Sequence, residues 1–367
     1  MSNFLDKCVT SVLNQTYEDF TLILINDGST DDSLNRCIRW SRMDDRIIVV
    51  SEANIGLGPT RNLGVKMCSS EYVTFLDADD WWRHDYLELM MQGVESGKND
   101  VVLCDINYVM ESSAGGYECN SSSIRLPSGS LKISDEWNLI NRARTFMWGK
   151  IYRKNLFSDY QIEQPSHTYE DVATTPYLIA RAKSIYHVPQ GLYYYLRNRQ
   201  GSIVNDFSSL KGLLCSLEDL YERFQESGLL MQFYSSLRQL FWGQFVFIYR
   251  SLKARFPNEI NDEKERIRCE AARIVCKCFP ELEGMRRYSF GVPRYEPVLI
   301  EALKKIVVNE EAILQGENWK DADYIVTTRE EVFHGKSLLI NMPSENIEDE
   351  ERIAWDIADE IFYEMFS

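Results

Sequence analysis

Four short apolar runs alternate with amphipathic stretches between residue 4 and about residue 104 of this 367-residue chain. The runs are TLILIN (21–26), RIIVVS (46–51), YVTFLDA (72–78) and DVVLCD (100–105). Each run is continuous rather than alternating, which is typical of strands that are covered on both faces. Strands separated by helices form parallel sheets with crossover helices. The pattern therefore predicts an α/β fold with a mostly parallel sheet and flanking helices.

The third run ends in a group of carboxylates. In FLDADDWW, residues 75–82, Asp77, Asp79 and Asp80 directly follow apolar residues. Because burying an unpaired carboxylate is unfavourable, these charges need a cation, a basic neighbour or water. Asp77 and Asp79 are two apart on an extended segment, so they point to the same side and can hold one hard cation. Two carboxylates leave room for water or substrate phosphates, the usual arrangement for Mg²⁺ or Mn²⁺.

These acids have two other interpretations. A calcium-binding loop would place Glu88 at its twelfth position. However, Trp81 and Trp82 occupy the fifth and sixth positions, where such a loop requires a ligand and a glycine. A helix N-cap cluster around Asp79 and Asp80 stays open as the alternative.

Polar clusters also follow the other three apolar runs. They are NDGSTDDS (26–33), SEANIGLGPTRN (51–62) and the segment near Asp105. In open parallel sheets, ligands bind beyond the carboxyl ends of the strands, where the loops diverge. We therefore expect these carboxylates to converge on one rim of the sheet.

The ordered set SVLNQTY, NDGSTDDS, NIGLGPTRNLG and FLDADDWW resembles the inverting family 2 glycosyltransferases of the GT-A fold, as found in bacterial polysaccharide synthesis. The similarity continues with WGKIYRKNLF, YEDVATTPY and LYYYLRNRQGSI and covers roughly residues 4–204. A lone DxD motif is weak evidence, whereas the ordered set is specific. The resemblance implies a Rossmann-like GT-A sheet and an enzyme that uses a nucleotide sugar.

The resemblance assigns four residues to the donor side of the site. Asp77 would lie near the ribose and diphosphate, and Asp79 would be the main ligand of a divalent metal ion, Mn²⁺ or Mg²⁺, with Asp77 beside it. Asp27 in NDGS matches the acid that contacts the nucleobase. Arg61 in TRN matches a basic residue near the nucleotide.

The resemblance also assigns the catalytic base. Asp171 in YED matches this residue, and Glu170 is its nearest alternative. The chemistry agrees with this division, because a metal neutralises the diphosphate leaving group while a carboxylate on the opposite face of the sugar removes the acceptor proton. Without the resemblance, the two acids are equally typical of the first turn of a helix, where the helix dipole favours them.

The chain departs from the family pattern at its start. Family members usually begin with a strand such as SVIIPVYN ahead of the helix that starts here at Phe4. We expect the reading frame to begin upstream, the alternative being a truncated form with damaged activity. The QxxRW signature of processive synthases and its transmembrane helices are also missing, which implies addition of a single sugar.

Two functions from different classes follow. The first is transfer of one sugar, from a UDP-sugar in the first instance, to a carbohydrate or lipid-linked acceptor in surface polysaccharide or glycoconjugate synthesis. The second is a degenerate, non-catalytic protein that binds nucleotide sugars or acts as a scaffold, motivated by the missing strand.

Composition restricts the partners and the compartment. A net charge of −16 and a pI near 4.9 argue against nonspecific nucleic-acid binding. No stretch approaches the roughly 18 apolar residues that span a bilayer, and nine cysteines without a CxxC pair are typical of reduced thiols. We expect a cytoplasmic protein and leave open a peripheral association with the inner face of the membrane.

The sequence predicts three segments. Residues 1–204 form the GT-A domain, residues 205–316 a mainly helical region, and residues 317–367 a small α/β segment. The last segment carries the runs DYIVTT and SLLINMP and a final helix whose apolar stripe we expect to dock on its own protein.

For some aromatic and basic residues, the sequence is compatible with both a ligand-binding and a structural role. Tyrosine and tryptophan stack on sugar rings, and arginine balances phosphate charge. The lone histidines, His84 and His167, are expected in surface or core positions. The candidates for ligand contact are Trp148, Tyr193, Tyr194, Tyr195, Arg197 and Arg199.

Overall fold

The computed structural model describes most of the chain up to residue 286. The described residues are 2–112, 116–124, 126–133, 138–197, 205–286, 288, 290–292, 296–315, 318, 322–327, 336–339, 354, 357–362 and 365. Their contacts divide the chain into two compact units, Met1–Phe233 and Tyr234–Ser367. Residues 205–233, predicted as part of a helical region, thus group with the first unit. The predicted division into three segments stays a prediction.

The first unit alternates helices and strands as the sequence predicts. Its helices are α1 (Ser2–Leu13), α2 (Ser33–Ser41), α3 (Leu57–Met67), α4 (Tyr86–Glu95), α5 (Leu139–Arg142), α6 (Asn155–Asp159), α7 (Glu170–Arg181) and α8 (Ser209–Glu226). Its strands are β1 (Leu22–Asp27), β2 (Ile47–Glu52), β3 (Tyr72–Thr74), β4 (Trp81–Trp82), β5 (Val101–Glu111), β6 (Tyr117–Ser122), β7 (Gly129–Leu131), β8 (Lys150–Arg153) and β9 (Ile185–Leu196).

The strands form two sheets, and the larger one is mixed. β1 and β2 pair in parallel, and so do β5 and β9, in agreement with the prediction. The seven-stranded sheet has the order β3-β8-β5-β9-β4, with β6 on β5 and β7 on β9, and its other pairs are antiparallel. The α/β fold is therefore confirmed, but the sheet is less parallel than predicted. The antiparallel pairs involve β4, β6, β7 and β8, which the four apolar runs did not reveal.

Two strands of the first unit have a single partner in the described residues. There, β1 pairs with β2 alone and β3 pairs with β8 alone. The third apolar run is also shorter as a strand than predicted, since β3 ends at Thr74 and the acids that follow lie in a loop.

Helices α1 and α4 cover one face of the larger sheet. Val12 of α1 and Met90 of α4 are buried against Val102 and Ile106 of β5 in one apolar cluster. Complete burial of one such side chain contributes about 1.5–3 kcal/mol. A smaller cluster joins Leu5 and other residues of α1 with α2 and β2.

Gln15 explains the SVLNQTY motif, residues 11–17, which covers the end of α1 and the loop after it. Its side chain is buried, and Nε2 donates a hydrogen bond to the carbonyl of Arg83 at 2.7 Å. Its Oε1 accepts one from the backbone N–H of Leu87 at 2.8 Å. Because the amide supplies both a donor and an acceptor, Gln15 connects the end of α1 to the start of α4 and fixes the loop between β4 and α4.

The second unit combines helices with a small parallel sheet. Its elements are α9 (Tyr234–Ala254), α10 (Asn261–Cys278), β10 (Phe290–Gly291), α11 (Pro297–Ile306), β11 (Ile313–Leu314), β12 (Tyr324–Thr327) and β13 (Lys336–Leu339). The sheet has the order β11-β10-β12-β13, so it includes strands from the segment predicted to be helical. Across the described ranges, no helix is both long and apolar enough to cross a bilayer.

The final helix docks on its own unit, as predicted, in the residues that are described. Ile357, Ala358 and Ile361 are buried in one cluster with Leu299 and Leu303 of α11. Ile353, Trp355 and Phe366, which belong to the same predicted stripe, lie outside the described residues.

Candidate active site

Asp27 ends β1 and is held by the loop that follows β2. Its two carboxylate oxygens accept hydrogen bonds from the backbone N–H groups of Ile55, at 2.6 Å, and Gly56, at 3.0 Å. The next residue, Gly28, has φ +63°, and a Cβ there would lie 2.6 Å from the backbone nitrogen of Asn54. The NDG sequence therefore permits this close approach. The contact between Asp27 and a nucleobase stays a prediction.

Arg61 lies on α3 and joins two acids that are far apart in sequence. Its Nη2 is 2.7 Å from Oδ1 of Asp77, and its Nη1 is 2.7 Å from Oε1 of Glu170. The guanidinium is only 8% exposed. Burial lowers the pKa of Arg61, but the charges of Asp77 and Glu170 outweigh that effect and hold the pKa above its usual value. Arg61 therefore stays charged and connects the DADD segment to the YED segment.

Asp80 is a buried anchor of the DADD segment. It is 1% exposed, and it accepts hydrogen bonds from Oη of Tyr193 at 2.7 Å and from the backbone N–H of Leu196 at 2.8 Å. Burial raises its pKa well above the usual value, and the nearby charges of Asp77 and Asp79 add to this effect. Its carboxylate is therefore occupied by β9 and is not directed to a ligand.

Asp77 and Asp79 are less buried than Asp80. Both are partly exposed. Asp77 uses Oδ1 for Arg61, and in the described part of the chain its Oδ2 accepts no hydrogen bond. Nowhere in that part do three or more His, Cys, Asp or Glu side chains form a group that could hold a metal ion. The two carboxylates therefore fit a hard divalent cation only if its other ligands are water or phosphate oxygens.

Glu170 and Asp171 begin α7 and differ in their surroundings. Glu170 is buried and paired with Arg61, whereas Oδ1 of Asp171 accepts a hydrogen bond from the backbone N–H of Val172 at 2.8 Å. Burial and the neighbouring charge of Glu170 raise the pKa of Asp171 to about 7, against the opposing effect of Arg61. A carboxylate that ionises near neutral pH is suited to accept a proton. Glu170 is engaged by Arg61, and the assignment of Asp171 as the base stays a prediction.

Four of the aromatic candidates lie in two ring stacks. Trp148 is 4% exposed and stacks on Tyr193, with ring centroids 4.4 Å apart, and on Tyr195, at 4.9 Å. Tyr194 stacks on Trp81 at 5.6 Å. Trp148 and Tyr193 are thus core residues, while Tyr194 and Tyr195 are partly exposed beside the site.

The basic candidates and the histidines take other positions. Arg197 lies over the ring of Tyr108, with 3.6 Å to its centroid, and Arg199 is outside the described residues. His84 is exposed, and His167 is 2.9 Å from Oδ2 of Asp219 on α8.

Asp105 does not reach the rim. β5 continues beyond it to Glu111, and its carboxylate is buried against His187 and the backbone N–H of Ile124. The expectation that the fourth run ends at the rim is therefore wrong.

Sequence reasoning also missed the roles of Asp80 and of Tyr193. Their hydrogen bond joins residues that are 113 positions apart, and a local sequence pattern does not predict such a distant partner. The one available signal was the third acid itself, which a two-ligand metal site does not require.

The family model for glycosyl transferase family 2 matches residues 2–160. The chain carries a family 2 glycosyltransferase domain. The matched range of this domain contains Asp27, Arg61, Asp77 and Asp79, whereas Glu170 and Asp171 follow its end.

Relatives of this family 2 domain occur among curated bacterial glycosyltransferases. The chain is 29% identical over 209 residues to the glycosyltransferase GlyA of Streptococcus pneumoniae serotype 4, covering 55% of this chain and 30% of GlyA. It is 30% identical over 224 residues to EpsH of Bacillus subtilis, covering 60% of this chain and 63% of EpsH. The chain thus spans less than two thirds of either relative.

Solved structures support the GT-A fold of the family 2 domain. S. aureus TarS 1-349 in complex with UDP-GlcNAc aligns with a TM-score of 0.60 and 18% identity, over 76% of this chain and 78% of that chain. The same protein in complex with UDP aligns with a TM-score of 0.55. At this identity the likeness concerns the fold alone.

Proposed function

We propose that the chain transfers one sugar from a nucleotide sugar to an acceptor hydroxyl, with inversion at the anomeric carbon. One observation carries the proposal: Arg61 joins Asp77 of the DADD segment to Glu170, directly before Asp171. This arrangement brings the acids suited to the donor diphosphate and the acid suited to the acceptor hydroxyl to one guanidinium. The family 2 domain and its glycosyltransferase relatives support the same reaction.

On the donor side, Asp77 and Asp79 would hold Mn²⁺ or Mg²⁺ together with the diphosphate. The metal would supply charge neutralisation for the departing nucleoside diphosphate. Arg61 binds Oδ1 of Asp77, so Oδ2 is the oxygen that would contact the ion. Asp27 would contact the nucleobase. A UDP-sugar is the first donor to test, because S. aureus TarS 1-349 has been solved with UDP-GlcNAc and with UDP.

On the acceptor side, Asp171 takes the proton of the attacking hydroxyl. Its pKa of about 7 leaves a substantial fraction ionised at neutral pH and still makes it a stronger base than an ordinary aspartate. Glu170 cannot share this role while it pairs with Arg61 at 2.7 Å. Attack from the face opposite the leaving group gives inversion.

The proposal extends to the acceptor and the setting. We propose a carbohydrate or lipid-linked acceptor in surface polysaccharide or glycoconjugate synthesis, at the cytoplasmic face of the membrane. The names of the curated relatives support sugar transfer, and they do not identify the acceptor.

The test is release of UDP from a panel of UDP-sugars by the full chain and by Asp171→Asn. We expect the variant to bind UDP within about threefold of the parent and to lose about 10²- to 10⁴-fold in kcat, the usual contribution of a general base. Asp45→Asn, a change at an exposed acid, is the matched control. Transfer by Asp171→Asn at the parental rate would contradict the assignment of the base. UDP binding without turnover of any sugar would favour the non-catalytic alternative.

A further inference from the structure

The segment 163–169 leads directly into Glu170 and Asp171, and it lies against helix α8. The family match ends at residue 160 and therefore includes neither this segment nor α8. Both belong to the first unit. The family match therefore does not account for the direction of the two acids. A role of α8 in catalysis rests on the proposed function of Asp171.

One face of α8 makes polar contacts along the whole segment. Oγ of Ser216 donates to the carbonyl of Tyr169 at 2.7 Å, and Oγ1 of Thr168 donates to the carbonyl of Ser209 at 2.9 Å. Positions 209, 212, 216, 219 and 223 of α8 are three or four residues apart, so they lie on one face of the helix. Two further pairs extend the same face: His167 with Asp219 at 2.9 Å, and the carbonyl of Glu163 with Arg223 at 2.6 Å.

Gly212 allows this face to approach closely. A Cβ at this position would lie 2.0 Å from Oγ1 and 2.8 Å from the carbonyl oxygen of Thr168, closer than any side chain permits. Glycine inside a helix lowers helix stability relative to alanine. Its position between Ser209 and Ser216 is explained by the contact with the segment.

Helix α3 holds the segment from a second side. Asn62 donates to the carbonyl of Gln164 and accepts from its backbone N–H, both at 2.8 Å. A Cβ at Gly58 would lie 2.0 Å from the carbonyl oxygen of Pro165. The same helix carries Arg61, which pairs with Glu170. The segment is therefore fixed to two helices before it enters α7.

Tyr169 shows the consequence of this double attachment. It adopts φ 60° and ψ 33°, a left-handed conformation that a bulky residue rarely takes. Such a conformation persists only where the surroundings enforce it, and the hydrogen bond from Ser216 is to the carbonyl of this residue. The conformation of Tyr169 sets the direction in which Glu170 and Asp171 enter α7.

We propose that α8 positions the catalytic acids, with Ser216 as its central positioning residue. Ser216 acts through the carbonyl of Tyr169, and Gly212 and Asp219 support it through Thr168 and His167. Loss of these contacts leaves the DADD segment in place, because Asp77 is held by Arg61 and Asp80 by β9. It changes the direction in which Glu170 and Asp171 enter α7.

The first test measures hydrogen exchange in the full chain by mass spectrometry, for Ser216→Ala, Gly212→Ala and Asp219→Asn. Cys215→Ala is the matched control, because Cys215 precedes Ser216 and is exposed on another face. We expect faster exchange over residues 166–172 in the three variants and parental exchange in the control. Asp219 is 39% exposed, so its variant remains informative even if the buried substitutions prevent folding. Parental exchange over residues 166–172 in Asp219→Asn and Ser216→Ala would overturn the proposal.

The second test separates positioning from stability. UDP titration gives the number of folded sites, and we expect Kd within about threefold of the parent while kcat per UDP site falls about 10- to 100-fold, the scale of a misplaced catalytic group. A merely stabilising helix would lower the melting temperature and leave kcat per UDP site unchanged, which would overturn the proposal. A parent chain that transfers no sugar would contradict the proposed function instead, and hydrogen exchange would still decide whether α8 holds the acids.

Discussion

Arg61 is the residue on which the two halves of the site depend. Its two terminal nitrogens pair separately with Asp77 and Glu170, each at 2.7 Å. Only a planar guanidinium presents donors in the fork that such an arrangement needs, whereas a lysine ammonium is a single point charge. A buried charge left without its partner destabilises a fold by about 3–5 kcal/mol.

We therefore expect Arg61→Lys to lose one of the two ion pairs, with Asp77 or with Glu170. The variant should unfold at lower urea concentration and release UDP from a UDP-sugar at least about tenfold more slowly, because Asp77 and Asp171 are no longer held in one arrangement. Lys66→Arg is the control, since Lys66 lies on the same helix in an exposed ion pair with Glu163. Equal urea midpoints and rates for Arg61→Lys and the parent would show that the double ion pair is dispensable.

The pH dependence of the reaction tests the role of Asp171. The charged groups that surround it are Glu170 on its own helix, Arg61 on α3, Asp77 after β3 and Lys150 on β8. Because the base must be ionised, kcat/KM should rise with pH through about 7, the pKa of Asp171. Above this pH the rate should reach a plateau.

Glu170→Gln should move this acidic limb to lower pH. Removing the negative charge of Glu170 lowers the pKa of Asp171, and the positive charge of Arg61, now balanced by Asp77 alone, keeps it low. The measurement is kcat/KM between pH 5 and 9 for both proteins. An acidic limb at the same pH in both would mean that a group other than Asp171 limits the rate.

At the scale of elements, the loop between β3 and β4 depends on β9. The hydroxyl of Tyr193 donates to Asp80 and accepts a hydrogen bond from the backbone N–H of Asp77, at 2.7 and 3.3 Å. β9 thus fixes both ends of the DADD segment. Since Asp80 is 1% exposed, a missing donor is not replaced by solvent.

Tyr193→Phe should therefore destabilise the first unit by about 1–3 kcal/mol, the effect of leaving a buried polar group partly unsatisfied. Tyr194→Phe is a control at the adjacent position, because Tyr194 is partly exposed and contributes a stacked ring. Urea denaturation of the two variants gives the comparison. A Tyr193→Phe protein as stable as Tyr194→Phe would remove the anchoring role from the hydroxyl.

The same elements show what the sequence could and could not predict. β1 and β2 were predictable because a continuous apolar run is a local pattern. The acids were predictable as a set, because an unpaired carboxylate after a buried run demands a partner. The partners themselves were not: Arg61 meets Glu170 across 109 positions and Asp80 meets Tyr193 across 113. The antiparallel pairs of β8 depend in the same way on distant strands.

At the scale of the whole molecule, the contacts of the described residues divide the chain into two compact units. The first unit, Met1–Phe233, contains every residue assigned to the site and helix α8. The sequence had placed a boundary near residue 204, ahead of α8. That position marks a change to helical pattern, whereas the packing of α8 on α7 is a long-range property that no pattern shows.

Two truncated chains distinguish a domain boundary near residue 204 from a boundary at Phe233. A chain ending at Phe233 should fold and bind UDP within about threefold of the full chain, because a compact unit with its own core folds alone. A chain ending at residue 204 should lose UDP binding, because it lacks the face of α8 that buries Leu213, Leu217 and Leu220. Circular dichroism and UDP titration give the comparison. Equal binding by both truncated chains would place α8 outside the unit that forms the site.

The most direct test of the central claim is calorimetric titration of UDP into the full chain with and without Mn²⁺. The parent and Asp45→Asn should bind UDP only when Mn²⁺ is present. Asp79→Asn should lose at least about tenfold in affinity for UDP, because Asp77 is then the single carboxylate left to hold the ion. Binding that is indifferent to both Mn²⁺ and Asp79, or no binding of UDP or GDP by the parent, would contradict the claim that these carboxylates form a metal-dependent nucleotide-sugar site.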